Sequence, residues 1–222
     1  MGKFVSMAAT AAMFAGLSLG AESSQAVTLT FFHISDNSGQ AAAVATQLTV
    51  EVEQGADDTE ASFTFWNNVG IAASITDVYF DDGSLLDIAS ISSSAGVSFS
   101  EGAAPPDLPG GNCCSFSASF SADSNDPVSA NGVDSSTEWL TIIFNLVAGM
   151  TFADTIAALI SGDLRLGMHV QAIGTSGDSD GFINNALDPV PLPAGLLLFL
   201  SGLAGIGFLG RYKSKRSEAA TA

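Results

Sequence analysis

Four stretches of the chain bring oxygen ligands close together: Asp57-Asp58, Asp81-Asp82, Asp123 with Asp126, and Asp178 with Asp180 and Asn184. Ca²⁺ gathers about six to eight such carboxylate, amide and carbonyl oxygens. Asp123, Asp126, Asp178 and Asp180 are therefore the candidate metal ligands. Ca²⁺ is the one ion they would suit, and no other cofactor is expected. None of these stretches has the spacing and closing Glu of an EF-hand loop. Asp and Asn in turns also bond their own backbone, so solvated turn acids that attract cations diffusely are the plainer expectation.

Nucleophilic chemistry has one formal candidate. Gly177-Asp178-Ser179-Asp180-Gly181 fits the G-x-S-x-G spacing of a nucleophile elbow. That elbow needs a strand–turn–helix context and a His later in the chain. No His follows Ser179, and flanking carboxylates would hold the serine proton. His33 and His169 are the only imidazoles and are not spaced as a zinc pair. His169 is expected on a polar strand face as a surface residue. No catalytic residue is expected, and the chain is read as a non-enzyme.

Recognition chemistry offers a second set of candidates. Trp66 and Trp139, with Tyr79, are candidates for an aromatic sugar-binding platform, and the amides of Asn67-Asn68 follow Trp66. Against this, aromatic rings in layered β folds are commonly core. Arg165 is the single base between Val27 and Asp188 and is expected to pair with neighbouring acids. Cys113 and Cys114 are adjacent, with Cα atoms ~3.8 Å apart, short of the usual disulfide range. A vicinal disulfide, an intermolecular bridge and free thiols all remain open.

The elements that must position these residues are mostly strands. Leu48, Val50 and Val52 alternate with Thr49, Glu51 and Glu53. Runs at 27–32, 62–66, 75–80, 85–91, 138–147 and 163–173 follow the same two-residue period. In the last, Leu164, Leu166, Met168 and Val170 make an apolar face and Arg165, His169 and Gln171 a polar one, as for a sheet wetted on one side. The expectation is a mainly β, antiparallel β-sandwich with one short helix. That helix is 152–160, with Thr151 and Asp154 as its cap and Gly162 as its stop. Residues 102–134, rich in Pro, Gly, Ser and Asp, read as a long, partly ordered excursion.

Charge divides the chain. It has 222 residues, 6 Lys+Arg against 23 Asp+Glu, and 47% hydrophobic content. Between Val27 and Asp188 lie 21 acids and Arg165 alone, a formal charge of −20. Such a body excludes nucleic-acid binding, which needs a basic footprint. The other five bases lie in the terminal segments.

Those segments read as targeting signals. Lys3 precedes an uncharged apolar run to Ala21, and Ser24 and Ala26 place small residues at −3 and −1 of a cut by signal peptidase. Residues 1–26 are expected as a signal peptide with a short helix, and 27–187 as the exported acidic domain. At the other end, 192–210 is uncharged over 19 residues. As a helix it spans roughly 28 Å, close to the ~30 Å of a bilayer core. Arg211, Lys213, Lys215 and Arg216 follow as a basic stop-transfer cluster (211–216) that stays in the cytoplasm.

Val190-Pro191-Leu192-Pro193-Ala194, the apolar run and the basic tail together resemble a PEP-CTERM-type sorting signal, in its VPLPA-CTERM variant. The resemblance covers about 30 residues, from Val190 to the end, within an expected sorting-signal segment of 188–222. It implies an exosortase substrate of a bacterium with an outer membrane. Such a protein is exported through the inner membrane and held there by its C-terminal helix. An integral-membrane transpeptidase then cleaves it near the 190–194 motif. The body reaches the cell surface or extracellular matrix, where exopolysaccharide is the expected partner. A carbohydrate- or calcium-binding adhesin-like module is the alternative for the body, and a hydrolase comes last.

Overall fold

A computed structural model describes residues 26–187 apart from Ser84. The fold is mainly β: ten antiparallel strands form one sheet that curls back on itself. One half holds β2 (Leu48–Gln54), β3 (Glu60–Asn67), β5 (Leu86–Ser93) and β8 (Trp139–Leu146), in the order β5-β8-β3-β2. The other holds β4 (Ser74–Asp81), β6 (Phe99–Glu101), β7 (Phe120–Ser124), β9 (Arg165–Ile173) and β10 (Asp178–Asn184), in the order β10-β9-β4-β7-β6.

The first strand, β1 (Val27–His33), joins the halves. Its Val27–Thr30 stretch pairs with β2, and its Phe31–His33 stretch pairs with β10. The expected two layers are thus two parts of one continuous ladder.

Alternation decides which side chains meet between the layers. On β3, Ala61, Phe63 and Phe65 point in and are fully buried. Phe80 of β4 faces them from the opposite half. Its ring sits 4.8 Å from Phe144, 5.0 Å from Phe63 and 5.9 Å from Phe120, each edge-to-face. Such pairs add about 0.5–1.5 kcal/mol beyond their area burial. This phenylalanine cluster is the centre of the main core.

The expected helix is α3 (Phe152–Ser161). Asp154 accepts bonds from both the Thr151 N–H and its hydroxyl, and Gly162 ends the helix at φ 80°. It is not alone among the described residues. Two shorter helices, α1 (Ala41–Ala45) and α2 (Val128–Asn131), and a 3-10 turn at Gly111–Cys114 accompany it. Among the described residues, no helix is long and apolar enough to cross a membrane. The expected signal helix, Ser24, the 190–194 motif, the 192–210 run and the basic cluster lie outside the described residues, and Ala26 is the first residue inside them.

Candidate functional site

The outer face of the first half is open to solvent. Trp66 of β3 and Trp139 of β8 are direct register partners there, both half-buried. Thr49 of β2 lies beside Trp66, and Thr30 of β1 beside Thr49. Strands lie about 4.8 Å apart, so this row of four side chains is ~14 Å long. Phe32, two residues along β1 from Thr30, is 41% exposed and extends the apolar surface. In the next row, Thr64 and Thr141 join hydroxyls at 2.9 Å, with exposed Glu51 beside Thr64. Two indoles flanked by hydroxyls suit the apolar face and the hydroxyl rim of a sugar ring.

Two of the expected neighbours are elsewhere. Tyr79 is fully buried on the other half of the sheet, and its hydroxyl donates to the Pro105 carbonyl at 3.0 Å. Asn67 points inward, accepts from Gln47 and donates to the carbonyls of Ala73 and Val133. Only Asn68 of that pair is exposed.

The outer face of the second half is not the wetted surface expected from sequence. The segment at 103–118 packs across it, with Leu108 and Phe116 buried against Tyr79 and Ile183. That excursion is ordered because two apolar side chains anchor it. Between the anchors, Cys113 and Cys114 are bonded to each other. Arg165 holds the turn: Nη1 donates to the Cys114 carbonyl and Nη2 to the Ser115 carbonyl, each at 2.8 Å. Its guanidinium also pairs with Asp81 and lies 5.3 Å over the Phe116 ring.

Beneath this cover the ladder aligns Asp123 (β7), Asp77 (β4) and His169 (β9). Asp77 is 2% exposed. It receives the His169 Nδ1 at 2.8 Å and the Thr76 hydroxyl at 3.0 Å. Burial, and next the Asp77 charge, push the Asp123 carboxyl above the usual carboxylate range. Burial, then the charges of Asp77, Asp123 and Asp107, push the Tyr79 phenol up. Asp123, a candidate calcium ligand in the sequence, therefore sits in a row of acid, acid and imidazole. His169 is a partnered, half-buried residue, while His33 is exposed at the end of β1.

The remaining acids are separated. Asp126 is exposed, and so is Asp178. The region from Asp178 to Asn184, expected as a loop, is strand β10. Asp180 within it is 1% exposed. Its carboxylate accepts from the Ser35 and Ser38 hydroxyls and from the Asn37 and Ser38 backbone N–H groups. Burial alone would raise its pKa, but these donors hold it below the usual carboxylate range. Among the described residues, no three His, Cys, Asp or Glu side chains come together as a metal site.

No protein-family model matches the chain, and no curated protein or solved structure matches it.

Proposed function

We propose that this chain is an exported surface or matrix protein that acts by binding polysaccharide rather than by catalysis. Its body is an antiparallel β-sandwich that meets exopolysaccharide through the Trp66–Trp139 face. The observation that carries this is the register pairing of the two tryptophans on an open sheet face, in line with Thr49 and Thr30. Buried indoles would have served the core instead. The formal charge of −20 between Val27 and Asp188 favours a neutral or amino-bearing glycan over an acidic one.

Delivery rests on the sequence. A signal peptidase removes 1–26, the 192–210 helix holds the chain in the membrane, and an exosortase-type transpeptidase reads Val190–Ala194. Support for this comes from the co-occurrence of the motif, the apolar run and the basic tail.

Affinity electrophoresis of the mature protein in gels containing neutral glucans, chitosan or alginate tests the binding. Retardation is expected with a neutral or amino-bearing glycan, and Trp66→Ala or Trp139→Ala should weaken it about tenfold or more, equivalent to ~1.4 kcal/mol. Equal mobility of wild type and both variants in every gel would remove the proposal.

A further inference from the structure

A second surface feature lies on the other half of the sheet. A depression of about 280 Å³ opens between the Pro109–Gly110 turn and strands β9 and β10, with His169 and Ser179 in its lining. Small-molecule sites start at about 300 Å³, so this one has room for a single ring or a chain end.

Its polar groups differ in how they are engaged. The Ser35 hydroxyl donates to Asp180 and accepts from the Gly181 N–H. The Asn37 side chain donates to the Ser179 carbonyl. Asp180 is saturated by its four donors. His169 uses Nδ1 toward buried Asp77. A carboxylate only accepts, so this bond calls for a proton on Nδ1, where the Gln171 amide nitrogen also lies 3.4 Å away; in the neutral ring Nε2 then carries the lone pair. Neither His169 Nε2 nor the Ser179 hydroxyl has a hydrogen-bond partner among the described residues.

The backbone around His169 is irregular on both sides. β4 carries an extra residue, Thr76, opposite the Val170–His169 step. β9 has its own irregularity against Asp178–Asp180. Such bulges collect at functional sites. Gly181 lies at the floor, where a Cβ would collide with the Pro109 carbonyl oxygen.

We infer that this depression is a binding site for a neutral sugar, whose hydroxyl donates to His169 Nε2 while another is met by the Ser179 hydroxyl. The open lone pair calls for a hydrogen-bond donor. The carboxylates of Asp180 in the wall and Asp77 behind the imidazole disfavour an anionic ligand. The site is independent of the tryptophan face, which belongs to the opposite half of the sheet.

The chain has only two histidines, so their imidazole ¹⁵N signals in the labelled mature protein are separable, with His33→Gln for assignment. His169 is expected in the Nδ1–H tautomer. Millimolar methyl glucoside should shift its Nε2 signal, and glucuronate should not. Ser179→Ala should weaken that response at least tenfold with an unchanged melting temperature. His169→Asn, which keeps a donor toward Asp77, should abolish glycoside binding measured by calorimetry. Trp66→Ala should leave the His169 response intact. The opposite tautomer, no shift with methyl glucoside, a response to glucuronate alone, or wild-type binding by the Ser179 variant would overturn the site. A response lost in Trp66→Ala would do so as well.

Discussion

Arg165 donates from Nη1 to the carbonyl oxygen of Cys114, reaching across 51 positions of sequence. The only base between Val27 and Asp188 thus serves a backbone turn as well as the acid Asp81. Arg165→Met should keep the aliphatic stem and lose the bonds to Cys114, Ser115 and Asp81. Bonds to a charged donor contribute about 1.5–3 kcal/mol, less where solvent reaches them as it does here. A loss of ~1–2 kcal/mol in urea unfolding is expected, together with faster proteolysis within 103–118. An unchanged midpoint and cleavage pattern would show that Leu108 and Phe116 hold the segment alone.

Stability should peak on the acid side of neutrality. Burial raises the pKa values of Asp82, Asp123 and Asp134. Their folded forms favour the proton, so stability is gained as pH falls from neutral toward the ordinary value of about 3.9. Asp180 has the opposite sign. Its depressed pKa contributes stability above about 3.9, and that contribution is lost as pH falls through the folded value. Melting temperature should therefore rise as pH falls from neutral toward about 3.9 and fall below it. Asp123→Asn should flatten the rise, and Asp180→Asn should flatten the fall. A steady decline from pH 7 downward would contradict the assignment.

Two glycines on the covered face should respond unequally to a methyl group. A Cβ on Gly167 meets Leu108 Cδ2 at 2.7 Å and Phe116 Cζ at 3.1 Å, both ends of side chains. A Cβ on Gly181 collides with the Pro109 carbonyl, which is backbone. Overpacking costs about 1–3 kcal/mol, with the smaller value where atoms can give way. Gly181→Ala should be the more destabilising in urea, and equal midpoints would argue that the turn moves freely.

The proposed processing has a direct readout. Mass spectrometry of the mature protein from its own cells should give an N-terminus at Val27 and a C-terminus near 190–194. Replacing Arg211, Lys213, Lys215 and Arg216 by Ser should stop release and leave the full C-terminal segment in place. Normal release of that variant would separate processing from the basic cluster.

Local pattern carried much of this fold. Alternation marked the strands, and Thr151, Asp154 and Gly162 marked α3, because caps and pleats are short-range effects. β10 was hidden: Asp178, Asp180 and Gly181 read as a turn, and the donors that make Asp180 tolerable in a buried strand come from 35–38, far away in sequence. The face bearing Arg165, His169 and Gln171 looked solvated for a similar reason. Its cover is a Pro- and Gly-rich segment whose only large apolar side chains are Leu108 and Phe116. The His169 row was invisible because Asp77, Asp123 and His169 meet only through strand order. The Trp66–Trp139 alignment also depends on register, which sequence leaves undefined between β3 and β8.

The shared strand β1 bears on how the protein is made. Its first half waits for β2, which follows within a few residues, but its second half has no partner until β10 has been synthesised. A chain threaded outward from its N-terminus would therefore keep the backbone groups of Phe31–His33 unpaired until nearly the whole body had emerged. On the proposed export route, closure would come last, just before the 192–210 segment reached the channel. Folding and release from that channel would then be nearly simultaneous, and a stall in either would present an open strand edge to neighbouring chains.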